Sequence, residues 1–188
     1  MFDIYRMFVK PEGKWGQRGA SMMVSLGDTM AIQAFEHLGL TPSDSAIEIG
    51  FGPGIGLQVL ANALPEGTVT GIDPSDLMHK LAAERNVKAI GSGRMALFKG
   101  TASNLPFDDN SFNGALAMDN MHFWDHPLNA LKEVYRVLVP GAKLICSFTP
   151  FSGGGRRDWS ELFANAGFID FKISEHEKGF FIIGTVPK

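Results

Sequence analysis

Ser45-Ala-Ile-Glu-Ile-Gly-Phe-Gly-Pro-Gly-Ile-Gly56 is an apolar run of strand length that gives way to glycines at alternate positions, and Leu57 to Ala63 follows. This order of residues predicts a short buried strand, a glycine turn and a helix. The same unit recurs downstream. Thr68 to Ile72 reads as a second strand closed by Asp73, and Ser75 is placed to cap a helix carrying Leu77, Met78 and Leu81 on one side. Met95 to Phe98, Ala115 to Met118 and Lys143 to Phe148 are further strands, with a helix from Leu128 to Leu138 stopped at Pro140-Gly141. Alternating strands and helices predict an α/β fold with a doubly wound, mostly parallel sheet and helices on both faces. The end of the chain breaks that rhythm. Trp159 to Ala166 reads as a helix, and Ile169 to Ile173 then faces Phe180 to Ile183 across a turn too short for a parallel return. The last strand is therefore expected to be antiparallel.

Upstream, residues 1–40 form a separate arm in this reading. Ala20 to Leu26 and Met30 to Leu38 carry apolar residues at helical spacing, Gly27-Asp28 is expected to split them into two helices, and Gly39 is the expected C-terminal cap. Residues 41–188 form the globular domain. A chain of 188 residues is long enough for one such core, and a net charge of −3 supplies no field for nucleic acid or anionic lipid. One cysteine, Cys146, excludes an internal disulfide framework. No basic-then-apolar leader opens the chain and no apolar run spans a bilayer, so a cytoplasmic protein, monomer or homodimer, without nucleic-acid or membrane partners is expected.

The glycine loop suits two ligand classes, dinucleotides and S-adenosylmethionine. The dinucleotide pattern G-x-G-x-x-G/A fails in both registers, because Ile55 or Leu57 stands at the last position. No Lys-Ser or Lys-Thr follows the loop, so the P-loop pattern fails as well. Glu48 at the mouth of the strand would repel a pyrophosphate but suits a ligand with an ammonium and a sulfonium. Asp73 stands at the offset where an acid takes ribose hydroxyls in either class.

With Glu48-Ile-Gly-Phe-Gly-Pro-Gly54 and Ile72-Asp-Pro-Ser75 on the page, the sequence resembles the class I S-adenosylmethionine-dependent methyltransferases. It is most similar to the small-molecule branch that holds the ubiquinone/menaquinone C-methyltransferases. Gly100 to Asp108, Ser111 to His122, and Leu131-Lys-Glu-Val-Tyr-Arg-Val-Leu-Val-Pro-Gly141 carry the likeness on to about residue 170. The resemblance implies a Rossmann-like sheet and S-adenosylmethionine held by Glu48, Gly50, Phe51, Gly52, Gly54, Asp73 and Pro74. It also implies that Met78 packs on adenine, that Thr101 and Ala102 run along its edge, and that Met118 lies by the methionine moiety. Thr101 replaces the family's usual aspartate at the adenine edge, Asn113 replaces an aspartate after Phe112, and Ala142 replaces a glycine.

The implied activity is methyl transfer to a small, largely apolar acceptor by in-line displacement, with positioning and water exclusion as the protein's main contribution. A nucleotide-dependent oxidoreductase and a non-catalytic S-adenosylmethionine-binding module are the rival readings. No long insertion flanks the fifth strand, so the first forty residues are the expected lid. Tyr5 and Trp15 from that lid, with His122, Phe123 and Trp124 from the fourth-strand loop, are the expected acceptor contacts. His122 reads either as a general base or as a pocket-lining histidine bonded to main chain. No metal is expected, because Asp119, Asp125 and His126 lack acidic partners in Ser147 to Pro150.

Overall fold

The computed structural model of the protein describes residues 5–9, 11–152 and 158–188, without the side chains of residues 5, 6, 25–28 and 151. A π-helical turn, Tyr5–Val9, leads into α1 (Gly13–Leu38). β1 (Ser45–Ile49), α2 (Ile55–Ala63), β2 (Thr68–Asp73), α3 (Asp76–Arg85), α4 (Val87–Gly91), β3 (Met95–Lys99), β4 (Phe112–Met118) and α5 (Pro127–Val137) follow in turn. β5 (Leu138–Phe148), α6 (Ser160–Ala166), β6 (Ile169–His176) and β7 (Gly179–Thr185) complete the chain. The seven strands lie in the order β3-β2-β1-β4-β5-β7-β6. β1 to β5 are mutually parallel, while β7 runs antiparallel between β5 and β6.

Alternation along the central strands builds two cores. Ile47 and Ile49 of β1, Ala115 and Ala117 of β4, and Leu144 and Cys146 of β5 meet α5 and α6 on one face. Ala46, Leu116 and Ile145, one residue out of phase, meet α1, α2 and α3 on the other. Glu48 shares the phase of Ala46 and so is delivered beneath α2. Among the described residues no helix is long and apolar enough to cross a membrane.

Two local expectations give way. Residues 13–38 form one helix, not two, with Gly39 in the left-handed conformation at its end. A glycine inside a helix costs only about 1 kcal/mol, and the buried stripe Met30, Ala34 and Leu38, with Ala20 one segment earlier, holds the helix to the sheet on either side of Gly27. The strand at Lys143 begins earlier than the Pro140-Gly141 stop suggested: Leu138 already pairs with Phe112, the chain bulges, and regular pairing resumes at Lys143 opposite Gly114. Asn113, one of the departures from the family pattern, accepts the Ser45 N–H at 2.9 Å and so fixes the start of β1 against β4.

The arm is seated on α1 by close approach. A Cβ on Gly16 would collide with Pro11 and Leu77, and one on Gly19 would collide with the Met7 carbonyl. Backbone therefore lies directly on helix at both positions.

Segment 100–111 is fastened from outside. Arg136 of α5 donates to the carbonyls of Phe107 (2.8 Å) and Leu105 (3.0 Å) and to the carboxylates of Glu133 and Asp109. Glu133 in turn accepts the Leu105 N–H at 2.9 Å. Replacing Arg136 with leucine leaves Glu133 and two carbonyls without their donor. Because the guanidinium is partly solvated, a loss of about 1–2 kcal/mol is expected. Calorimetry should show this as a melting temperature lower by about 2–8 °C.

Candidate active site

The sheet reverses its strand order between β1 and β4, the point at which open α/β sheets place ligands. A cavity of about 1000 Å³ opens there, at the upper end of the range for small-molecule sites. Its floor is the glycine loop. Gly50, Gly52 and Gly54 all adopt positive φ, at 67°, 51° and 80°, which a side chain would strain. The loop is tied down by Gly50 N–H to the Ile72 carbonyl (2.7 Å) and by Gly52 N–H to Asp73 Oδ2 (3.0 Å). Gly54 lies outside the lining. It is the joint to α2, with the Asn86 amide donating to its carbonyl at 3.0 Å.

Glu48 is buried against the first turn of α2, and a Cβ on Gly56 would collide with its carboxylate. It accepts the Leu57 N–H. Its Oε2 has no hydrogen-bond partner among the described residues, although Glu48 lines the cavity. Burial pushes the carboxyl well above its ordinary value of 4.5; the Leu57 N–H opposes that shift and the neighbouring Asp73 charge reinforces it. A buried carboxylate oxygen without a donor is a place for a cation.

Asp73 ends β2 with both oxygens engaged, Oδ2 by Gly52 N–H and Oδ1 by Ser75 N–H at 2.8 Å. Burial raises its pKa from the ordinary 3.8, while those two N–H groups and His79 hold it down. Each oxygen keeps a further lone pair for a ligand. Ser75 caps α3 through the Met78 N–H, as the sequence indicated, and its hydroxyl also donates to the Pro11 carbonyl at 3.0 Å. The arm is thus fastened two residues from Asp73.

The expected site residues fall into three groups. Glu48, Gly50, Phe51, Gly52, Asp73, Pro74 and Met78 line the cavity, and so do Thr101, Ala102, Met118, Phe123 and Trp124. The Tyr5 side chain lies outside the described residues. Trp15 and His122 stand away from the lining. Trp15 carries the Arg18 guanidinium 5.1 Å above its ring, because Gly16 and Gly19 turn a neighbouring side of α1 toward the arm. His122 donates from Nε2 to the Ser152 carbonyl at 2.7 Å and packs on Phe123 and Phe148. In their place the arm contributes Phe8, Val9 and Pro11, and α1 contributes Met22, Met23 and Met30.

Sequence reasoning missed Asn120. Its amide spans the gap between β1 and β4, donating to the carbonyls of Ile49 (2.6 Å), Gly50 (3.1 Å) and Met118 (3.1 Å). Its Oδ1 accepts the Trp124 indole N–H at 3.1 Å. Nothing in the sequence marks it beyond its position just past the fourth strand. Among the described residues no three His, Cys, Asp or Glu side chains gather as metal ligands.

The sequence matches the Methyltransferase domain family over residues 47–146, more than half of the chain. It is 29% identical to the uncharacterised methyltransferase YdaC of Bacillus subtilis across 83% of this chain and 84% of that one. It is 37% identical to the demethylmenaquinone methyltransferase of Geobacillus kaustophilus across 64% of this chain and 68% of that one. In fold it is similar to a SAM-dependent methyltransferase of Aquifex aeolicus, with a TM-score of 0.74 over 89% of this chain and 98% of that one at 20% identity. The strand order, the loop after β1 and the family match lead to one conclusion: the chain belongs to the Methyltransferase domain family and is a class I S-adenosylmethionine-dependent methyltransferase.

Proposed function

We propose that the cavity seats S-adenosylmethionine across the mouths of β1 and β2, and that the methyl group passes to a small, largely apolar acceptor in the cytoplasm. The observation that carries this reading is the partnerless Oε2 of Glu48, a buried carboxylate oxygen of a residue that lines a cavity floored by the glycine loop. It fits the ammonium of the methionine moiety, with Asp73 bonding the ribose hydroxyls and Met78, Thr101 and Ala102 bordering the adenine. Bound there, the sulfonium supplies an activated methyl group and a neutral leaving group.

The chain's own part is to place the acceptor and keep water out. Phe8, Met22, Met23, Met30, Phe123 and Trp124 supply adaptable apolar contacts for a flat molecule. One relative is named a demethylmenaquinone methyltransferase. The arm acts as the lid, seated at Gly16 and Gly19 and latched by Ser75 to Pro11. Among the described residues His122 and Trp15 play no part in contacting the acceptor in this reading.

Asp73→Asn should weaken S-adenosylhomocysteine binding by about 10- to 100-fold, since hydrogen bonds to a charged group contribute about 1.5–3 kcal/mol each. Titration calorimetry reads this directly. An unchanged affinity removes Asp73 from the ribose role, and binding of NADH in place of S-adenosylhomocysteine overturns the reading as a whole.

Glu48→Gln has two opposite effects. With its folded-state pKa raised above 4.5, the carboxyl favours the fold fully below 4.5, and that contribution is lost as pH rises through the raised value. The glutamine variant does not titrate, so at pH 7 it should melt above the wild type. The gap between the two proteins should narrow as pH falls toward 4.5. Its affinity for S-adenosylhomocysteine should drop. A variant that melts lower at pH 7 would show that ionised Glu48 stabilises the empty protein.

A further inference from the structure

Asp119 and Thr149 form a pair at the cavity wall that methyl transfer as described above leaves unused. Asp119 follows β4 at φ 52°, in the left-handed region that aspartate enters more readily than most residues. The turn carries its carboxylate across to the residue just beyond β5. Oδ1 accepts the Thr149 N–H at 2.6 Å, and Oδ2 accepts the Thr149 hydroxyl at 2.9 Å. The Ser152 hydroxyl donates to the Thr149 carbonyl at 2.8 Å. Asp119, Thr149 and Ser152 all line the cavity, together with Phe123.

The hydrogen-bond inventory fixes the polarity of this wall. A hydroxyl has one proton, and that of Thr149 is given to Asp119, so Thr149 Oγ1 presents only lone pairs to a ligand. Burial raises the Asp119 carboxyl from its ordinary 3.8, opposed by the Thr149 bonds and by His122, the titratable neighbour from the same loop. Raised in this way, Asp119 is a stronger proton acceptor than an exposed aspartate. His122, read from the sequence either as a base or as a histidine bonded to main chain, gives its Nε2 proton to the Ser152 carbonyl.

We propose that Thr149 and Asp119 are the proton relay of the reaction, and that the acceptor therefore carries a hydroxyl at its reacting end. The inference rests on the methyl-transfer reading of the preceding section. As the hydroxyl oxygen's lone pair forms the O–C bond, the C–S bond breaks and its electron pair goes to sulfur. The hydroxyl proton passes to Thr149 Oγ1 while the proton already on Thr149 passes to Asp119 Oδ2. The step turns one carboxylate and one sulfonium into a carboxylic acid and a thioether, so a buried charge pair is cancelled. The methylated product is an ether with nothing to donate.

The test needs no natural substrate. 4-Fluorophenol donates a hydrogen bond, whereas 4-fluoroanisole only accepts one; both can be titrated by fluorine NMR into the full chain saturated with S-adenosylhomocysteine. The wild type should prefer the phenol by about three- to tenfold, the value of one hydrogen bond. In Asp119→Asn the new amide donates to Thr149 and frees its hydroxyl proton for the ligand, so the preference should fall to about one. Thr149→Ser should keep it and Thr149→Val should lose it. A preference equal in wild type and Asp119→Asn, or absent from the wild type, overturns the relay. Calorimetry with S-adenosylhomocysteine on each protein separates the two levels. A wild type that fails to bind it overturns the preceding reading, and retained binding alongside a failed preference overturns the relay alone.

Discussion

Where the strand order reverses, β1 and β4 lie side by side but send their chains to opposite faces of the sheet. Something must hold the two mouths at a fixed spacing, since the loops that leave them form much of the cavity lining. One amide does this. Asn120 reaches from β4 to two carbonyls at the end of β1 and to Met118 on its own strand, and it orients Trp124 with its remaining oxygen. Gly50 has no side chain because Asn120 occupies that place. The glycine loop, the β4 loop and the aromatic wall form a single unit on account of that contact.

The protein carries this site at a cost. Asp73 adds to the burden on Glu48 by proximity, and each carboxyl is penalised by desolvation. No cation among the described residues bonds either carboxylate. The structure compensates with main-chain N–H groups from Leu57, Gly52 and Ser75, which stabilise negative charge without filling the cavity. In the proposed reading a cationic ligand completes the arrangement, so its binding and the protein's stability are linked.

The parts of the molecule readable from sequence are those written in adjacent residues. Glu48, Asp73 and Ser75 announce themselves because strand, turn and cap fall within a few positions, and the two cores follow from alternation alone. Asn113 is conspicuous only as a departure, and its bond to Ser45 spans 68 positions. Asn120, and Asp119 with Thr149, act between strands that the sequence does not show to be neighbours. The continuous α1 was hidden for a related reason: packing onto the sheet outweighs a single glycine. His122 and Trp15 show the limit of residue type as a guide. Both are in the right segment, and helix phase and one carbonyl decide that they face elsewhere.

The seating of the arm has a consequence for how this protein can diverge. At Gly16 and Gly19 the helix meets the backbone of Pro11 and Met7, and Ser75 holds a carbonyl rather than a side chain. The arm's attachment is therefore largely indifferent to which side chains it carries, provided the two glycines and the serine persist. Phe8 and Val9, which face the cavity, can be exchanged without unseating the segment that bears them. Anchorage and selectivity are encoded in different atoms of the same few residues, so new acceptors can be explored by replacing arm side chains while the cofactor half of the molecule stays unchanged.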